Sequence, residues 1–319
     1  MKQVNSMLDE ERYVAVVGAV NVDISGTSDT PFVQGDSNPG HVFVTMGGVG
    51  RNIAENLARL GLNVKLLAAL GEDMRAAQVR GGCRALGIDL DHCLVVPKER
   101  TSTYLCLNDC NGVIVAAVSD MSICEAITPD FLQTKLDMLN HAALVVLEAN
   151  LSKEAIDFLA QNCTAPLMAD PVSTKKSVRL ADAVGKLLVM KPNRGEASLL
   201  TGVDIQSDAD LPAAAQAFFG LGLRNVLISL GEDGVYFDDG RERGILPCYP
   251  TELVNTTGCG DAFIAAAALG YLKGKSLRTM AHMGLAAAAL CARTDGAVSA
   301  EISAEVIEQI IQPNIVECI

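Results

Sequence analysis

The sequence lacks an excess of basic residues. Its 319 residues include 25 lysines and arginines against 38 aspartates and glutamates, so the formal net charge is −13 at pH 7. Nucleic acids and anionic membranes bind proteins mainly through basic faces. We therefore expect neither as a partner. A single nucleotide can still bind, because backbone amides, a metal ion and one or two local cations are enough for it.

Features of other protein classes are missing too. No uncharged apolar run reaches the roughly 20 residues that span a bilayer, and the N-terminal segment shows no apolar core ahead of a cleavage site. We therefore expect a cytoplasmic protein. The ten cysteines form no C-x-x-C pair, which indicates reduced thiols and argues against a structural zinc site.

What is present is a regular α/β pattern. The β-branched apolar run from Tyr13 to Gly18 predicts a buried strand. From residue 130 onward, predicted strands and helices alternate, with a helix expected at 180–185 between strands at 166–169 and 187–190. Strands that alternate with helices indicate a mainly parallel sheet covered by helices on both faces.

Two β-rich segments, about 22–45 and 100–119, do not alternate with helices. We expect them to form a small separate sheet that covers one end of the main sheet as a lid. The chain has neither an internal repeat nor a Gly/Ser linker, so we expect a single domain at 12–311. Residues 1–11 are expected to form a flexible N-terminal tail.

The most informative segment reads Asn-Thr-Thr-Gly-Cys-Gly-Asp-Ala-Phe, from residue 255 to residue 263. Gly258 and Gly260 allow a tight turn that comes close to a ligand, and an apolar helical stretch follows. The free N–H groups of a helix's first turn form a phosphate site. Asp261 would repel a phosphate, but it suits a base that takes a proton from a hydroxyl attacking that phosphate. The alternative for Asp261 is a helix cap.

A second motif, Gly47-Gly-Val-Gly-Arg-Asn-Ile-Ala54, lies near the other end of the chain. Together with the Gly258–Asp261 turn it resembles the ribokinase-like (pfkB) carbohydrate kinases, and the resemblance extends from about residue 12 to 311. It implies a three-layer α/β/α core with a mainly parallel sheet and a small β-sheet lid. The segment Asp36-Ser-Asn-Pro-Gly40 and the form of both motifs resemble the pseudouridine kinases within this family.

The resemblance implies roles on the nucleotide side. Asp261 is the catalytic base, and Gly258, Cys259 and Gly260 supply amides to the transferred phosphoryl group. Asn193 and Glu196 organise Mg²⁺ through water; the alternative is a capping box, because the two residues are spaced i, i+3. Further nucleotide-binding residues are Lys191, Ser229, Gly231 and Gly234.

The resemblance also implies roles on the acceptor side, where the molecule that receives the phosphoryl group binds. Carboxylate, amide and backbone groups would hold the ribose hydroxyls; these residues are Asn21, Asp23, Gly47, Gly48 and Asn52. Glu148 would be a further polar contact, with an exposed glutamate at a strand end as the alternative. Ser37 and Asn38 would contact the base from the lid; a plain turn before Pro39 is the alternative.

These roles predict an ATP-dependent kinase that phosphorylates the 5′-hydroxyl of a nucleoside. Pseudouridine is the expected substrate. Ribose or another nucleoside is the alternative substrate, and a catalytically idle sugar or nucleotide sensor is the alternative of another class. The family often has Asp where Asn255 stands, a position that commonly helps to hold a monovalent cation, so a K⁺ requirement stays open. The lid has open edges, and such edges often pair, so we expect a homodimer through the lid.

Overall fold

The computed structural model describes residues 12–315, so the tail predicted at residues 1–11 lies outside the described residues. Short runs of buried apolar residues form the parallel strands of the main sheet, as the β-branched pattern predicts. The strands are β1 (Val14–Val17), β2 (Asn21–Ser28), β3 (Gly40–Gly47), β4 (Val64–Leu67), β5 (Ala69–Leu70), β6 (Leu94–Val95), β7 (Thr103–Asn108), β8 (Ile114–Asp120), β9 (Leu144–Glu148), β10 (Leu167–Asp170), β11 (Val189–Met190), β12 (Asn225–Ser229), β13 (Val235–Asp238) and β14 (Arg243–Leu246).

The helices connect these strands and cover the main sheet. They are α1 (Val49–Arg59), α2 (Met74–Ala85), α3 (Pro129–Gln133), α4 (Leu136–His141), α5 (Lys153–Asn162), α6 (Thr174–Ser177), α7 (Arg194–Thr201), α8 (Leu211–Gly220), α9 (Cys259–Leu272), α10 (Leu277–Ala292) and α11 (Ala304–Ile315). Within residues 12–315, no helix combines the length and the apolar character needed to cross a membrane.

The main sheet has eight strands in the order β14-β13-β12-β11-β10-β9-β1-β4. Neighbours are parallel from β12 to β4, whereas β13 and β14 add an antiparallel edge. One face packs against α1, α2, α9, α10 and α11, and the other against α3, α4, α5, α7 and α8. The predicted three-layer α/β/α core with a mainly parallel sheet is confirmed.

A second sheet of four strands, in the order β3-β2-β7-β8, forms the predicted lid. The strand register places five exposed apolar side chains on the same face of this sheet, which we call its outer face. They are Val42, Val44, Leu105, Leu107 and Val118. Asp23 lies on the opposite face, since side chains alternate along a strand.

Two local predictions differ from the structure. The helix expected at 180–185 is absent: after the short helix α6, the 3₁₀ turns Val178–Leu180 and Val184–Lys186 cover this stretch instead. Arg179 Nη1 donates to the carbonyl oxygens of Asn150 and Leu151, at 3.1 and 2.9 Å, which anchors the first of these turns. Helix α2, for which the sequence carries little apolar periodicity, was not predicted.

Candidate active site

The C-terminal ends of four neighbouring parallel strands bring polar residues to one edge of the main sheet. Glu148 ends β9 and is paired in register with Asp170, which ends β10. Lys191 directly follows β11, and Gly18 follows β1. The N-termini of α1 and α9 meet the same edge, as the position of ligands in open α/β sheets predicts.

The first turn of α9, from Gly258 to Asp261, takes a conformation that requires glycine at position 258; we refer to it as the α9 turn. Gly258 has φ +81°, and a Cβ there would lie 1.9 Å from the carbonyl oxygen of Ala297, so only glycine fits. Among residues 12–315, no acceptor is hydrogen-bonded to the N–H groups of Gly258, Gly260 and Asp261. The N–H group of Cys259, predicted as a further donor to the phosphoryl group, instead donates to Thr256 O at 3.3 Å. The turn therefore presents free N–H groups at a helix N-terminus, which is the environment that an anion needs.

Asp261 lies inside this turn and is 8% exposed. Its Oδ2 accepts a hydrogen bond from Asn52 Nδ2 at 2.9 Å. Burial, together with the negative charge of Asp170, raises the pKa of Asp261 to about 8. The hydrogen bond joins the two sequence motifs, which are separated by about 200 residues, at a single carboxylate that suits general-base chemistry.

Asn52 is oriented for this contact by its neighbour. Arg51 Nη2 donates to Asn52 Oδ1 at 2.6 Å, so the amide oxygen faces Arg51 and the amide nitrogen faces Asp261. Arg51 is itself buried and pairs with Glu55 one helical turn later. Arg51 is not among the predicted site residues, although an arginine within a glycine-rich motif is a usable signal.

Asp170 is the other site residue that was not predicted from the sequence. Its Oδ2 lies 3.2 Å from Lys191 Nζ, and both side chains are buried. Burial opposes the charge of Lys191, but Asp170 and Glu196 outweigh it and raise the pKa of Lys191. A carboxylate at the C-terminal end of a buried strand is the signal that identified Glu148, and the same signal is present at Asp170.

The acceptor-side residues form a compact group where the lid meets α1. Asn21 Nδ2 donates to Asp23 Oδ1. A Cβ at position 47 would lie 2.1 Å from Asp23 Oδ2, and a Cβ at position 48, where φ is +98°, would lie 2.5 Å from Ala19 O. Burial raises the pKa of Asp23, and the charge of Arg51 opposes this shift. Both glycines thus make room for polar groups of the site.

Glu148 lies beneath this group and is fully buried, with 0% exposure. The alternative of an exposed glutamate is therefore wrong. Its carboxylate accepts hydrogen bonds from the backbone N–H groups of Ala19 and Asn150. Burial raises the pKa of Glu148 to about 7. Glu148 thus ties the segment between β1 and β2, which leads to Asn21 and Asp23, to the end of β9.

Asn193 and Glu196 form the reciprocal capping box that was the alternative at these positions. Asn193 Oδ1 accepts from Glu196 N at 2.9 Å, and Glu196 Oε2 accepts from Asn193 N at 2.8 Å. The second carboxylate oxygen of Glu196 is not used by the box. Mg²⁺ takes few protein ligands and prefers oxygen and water, so this donor set fits Mg²⁺ held through water. Within residues 12–315, no cluster of three or more His, Cys, Asp or Glu side chains could hold a metal by itself.

The other predicted nucleotide-side residues lie next to this box. Ser229 N donates to Pro192 O at 2.8 Å, which brings the end of β12 beside Asn193. Gly231 and Gly234 have φ +69° and +102°, and a Cβ at Gly234 would lie 1.9 Å from Leu246 O. The loop after β12 therefore needs glycine at position 234, where its backbone packs against the end of β14.

Ser37 and Asn38 are not brought to the other predicted residues. They lie in the exposed loop between β2 and β3, where Asn38 donates to the carbonyl oxygens of Val33 and Asp36 at 2.9 and 3.0 Å. Asn38 lines a cleft of about 260 Å³ at the tip of the lid, and the lining of this cleft does not include Asp23 or Asp261. The structure thus shows the turn that was the alternative for this loop.

The environment of Asn255 does not suit a monovalent cation. Its Oδ1 accepts from Thr257 N at 2.9 Å, and its Nδ2 donates to Asp295 O at 3.0 Å. A cation needs oxygen ligands, whereas here an N–H donor already faces the carbonyl group.

Comparisons with known proteins agree with this arrangement. Residues 11–304 match the model of the pfkB family carbohydrate kinases. The chain is 38% identical over 267 residues to the pseudouridine kinase of Escherichia coli (strain K12), covering 83% of this chain and 85% of the relative.

Two solved structures share the fold over nearly the whole chain. A carbohydrate kinase from Agrobacterium tumefaciens has a TM-score of 0.84 and 28% identity, with 94% of this chain and 97% of that chain covered. The ribokinase of Arabidopsis thaliana, solved with ribose and ATP, has a TM-score of 0.85 at 23% identity, with 94% and 99% covered.

Proposed function

Because the chain belongs to the pfkB family of carbohydrate kinases, a family of sugar and nucleoside kinases that phosphorylate a hydroxyl group, we propose that it phosphorylates the 5′-hydroxyl of pseudouridine with ATP. The hydrogen bond between Asn52 and Asp261 carries this proposal, since it joins a residue predicted to bind the ribose to the proposed base. The similarity to the pseudouridine kinase of Escherichia coli supports the choice of nucleoside.

In the proposed reaction Asp261 accepts the proton of the 5′-hydroxyl as its oxygen attacks the γ-phosphorus of ATP. The new O–P bond forms while the bond between the γ-phosphorus and the bridging oxygen breaks, and ADP leaves. The free N–H groups of Gly258, Gly260 and Asp261 neutralise the charge on the transferred phosphoryl group. Asn21, Asp23, Gly47, Gly48 and Asn52 hold the ribose, and Glu148 supports them from below.

Asn193 and Glu196 would hold Mg²⁺ through water, and Lys191, Ser229, Gly231 and Gly234 would line the triphosphate. Bound Mg²⁺ supplies positive charge to the phosphate oxygens. The chain's own part is to place these groups at one edge of the main sheet, next to the α9 turn.

An ADP-release assay against pseudouridine, uridine, inosine and ribose tests the proposal, with Asp261→Asn as the inactive control. We expect the highest kcat/KM with pseudouridine and phosphate attached at the 5′ oxygen, read from the ³¹P–¹H coupling of the product. A higher kcat/KM with ribose or uridine would show that pseudouridine is not the preferred substrate, while the kinase activity itself would stand. Turnover of none of them, with thermal stabilisation by one, would favour a sensor.

We also propose that two copies pair through the lid. Its outer face exposes five apolar side chains, Val42, Val44, Leu105, Leu107 and Val118, and contiguous apolar surface of this kind is typical of protein interfaces. Light scattering should give twice the chain mass for the wild-type protein. Val44→Glu, which buries a charge in the interface, should give monomers; a wild-type monomer would contradict this pairing.

A further inference from the structure

We propose that Asp170 is a positioning residue that holds the ammonium group of Lys191 against the α9 turn, where the phosphoryl group is transferred. This inference rests on the proposed kinase function. The alternative is a purely structural role, in which Asp170 and Lys191 only neutralise each other's buried charge. Three features of the geometry favour positioning.

The first feature is that the two oxygens of the Asp170 carboxylate have different partners. Asp170 Oδ2 lies 3.2 Å from Lys191 Nζ, while Oδ1 accepts a hydrogen bond from Val172 N at 2.8 Å. The second bond fixes the rotation of the carboxylate, so that Oδ2 points toward Lys191. A lysine carries its charge on a flexible four-carbon stem, and a fixed anion is what restrains such a charge.

The second feature is the contact of Lys191 with the α9 turn. A Cβ at position 260 would lie 3.2 Å from Lys191 Nζ and 4.0 Å from Asp170 Oδ2. A side chain at position 260 would press on the ammonium group, so the glycine there lets Lys191 lie directly against the backbone that presents free N–H groups. Lys191 adds a full positive charge at the place where those groups add partial charges.

The third feature is the backbone that follows Asp170. Val172 has φ +67°, a left-handed conformation that is costly for a β-branched residue. Its N–H group bonds to Asp170, and Ser173 N donates to Pro171 O at 2.7 Å. Such strain persists only where the surroundings enforce it, and it clusters at functional sites. A pair needed only to neutralise charge does not require this turn.

Several charges face these groups. Asp170, Lys191 and Glu148 act on Asp261, and Asp170, Glu196 and Asp261 act on Lys191. Replacing Asp170 by asparagine removes one negative charge and keeps an acceptor for Val172 N. The new NH₂ group then faces Lys191 and pushes the ammonium away. A displacement of about 1 Å at a reacting group lowers a rate by as much as about 100-fold.

The test compares Asp170→Asn, Lys191→Met and the double variant in single-turnover reactions with excess enzyme. We expect Asp170→Asn to lower the rate of transfer about 10- to 100-fold and to weaken ATP binding far less, because the freed ammonium group can still meet the ground-state phosphate. In the Lys191→Met background the same change should cost nothing further. Asp182→Asn, which breaks the surface pair with Lys153, is the control and should match the wild type.

A pH profile separates an electrostatic effect within the site from a loss of folded protein. Without the charge of Asp170, the pKa of Asp261 falls, so the acidic limb of kcat/KM should move to lower pH. An unchanged rate and limb in folded Asp170→Asn protein, or an equal loss in the Lys191→Met background, would overturn the inference.

Failure of the proposed function gives a different result. If the wild-type protein phosphorylates no acceptor, the kinase proposal fails, and calorimetric titration with ATP decides the role of Asp170. Asp170→Asn must then change ATP affinity in the wild-type background and leave it unchanged in the Lys191→Met background. An equal change in both backgrounds would refute the positioning role.

Discussion

The two sides of the site are built in opposite ways. On the phosphoryl side, Asp170, Lys191 and the α9 turn sit at the strand ends of the main sheet, where charges are buried among one another. On the acceptor side, Asn21 and Asp23 belong to β2 of the lid and are packed against glycine backbone.

The difference assigns different tasks to the two sides. Charges buried at rigid strand ends are hard to displace, so they suit a reaction in which electrostatic stabilisation must be preorganised. Groups on a small sheet whose outer face is exposed can move with that sheet, which suits binding and enclosure of a substrate. Changes on the phosphoryl side should therefore lower kcat, and changes on the acceptor side should raise KM for the acceptor.

The strongest test of this comparison is Asp261→Asn. Loss of the base should lower kcat about 10²- to 10⁴-fold, with little change in KM for ATP or for the acceptor, measured by ADP release. An asparagine keeps the shape and an acceptor for Asn52. Wild-type turnover in this variant would show that the phosphoryl side has no general base there.

Asp261 also makes a pH-dependent contribution to stability. Burial raises its pKa from 3.8 to about 8 in the folded protein. Because the pKa is higher in the folded protein, protonation of Asp261 stabilises the fold. This contribution is complete below the unfolded pKa of 3.8 and is lost as the pH rises through about 8. Thermal unfolding of the unliganded protein should therefore show Asp261→Asn stabilised more at pH 8 than at pH 4. The same difference at both values would contradict the buried-acid interpretation.

Gly47→Ala tests the acceptor side. The added Cβ would lie 2.1 Å from Asp23 Oδ2, which is the far end of a side chain, so Asp23 turns away while the backbone stays. We expect KM for the acceptor to rise about tenfold, the equivalent of one lost hydrogen bond to a charged group, with kcat and KM for ATP little changed.

A matched control exists in α2. Gly81 has open space around its Cβ position, so Gly81→Ala should leave both KM values at their wild-type levels. A fall in kcat without a rise in KM for the acceptor in Gly47→Ala would remove the proposed division of tasks.

Much of this molecule follows from local sequence. The parallel core follows from the alternation of apolar runs and helices, and the α9 turn follows from Gly258, Gly260 and the apolar stretch after them. Helix α2 was missed because its interior contains Gly81 and Gly82, which are poor helix formers. A Cβ at Gly82 would lie 2.3 Å from Met46 Cε of β3, so contact with the lid explains this glycine.

The parts that could not be predicted depend on contacts between distant segments. The bond between Asn52 and Asp261, and the pair of Asp170 with Lys191, are created by strand order and helix placement. The roles of Asn193 and Glu196 stay predictions, since the capping box accounts for their geometry. Sequence placed the residues at strand ends, but it did not say which would face one another.

The smallest expected effect concerns Asn255, beside the α9 turn. Its amide already bonds Thr257 N and Asp295 O, which fixes the turn without a cation. Exchange of K⁺ for tetramethylammonium at constant ionic strength should therefore leave kcat and both KM values unchanged. Asn255→Asp removes the N–H donor and places a carboxylate next to the Asp295 carbonyl, so this variant should gain a K⁺ dependence. If the wild-type protein itself needs K⁺, the phosphoryl side is not preorganised by the chain alone, and the contrast with the mobile acceptor side weakens.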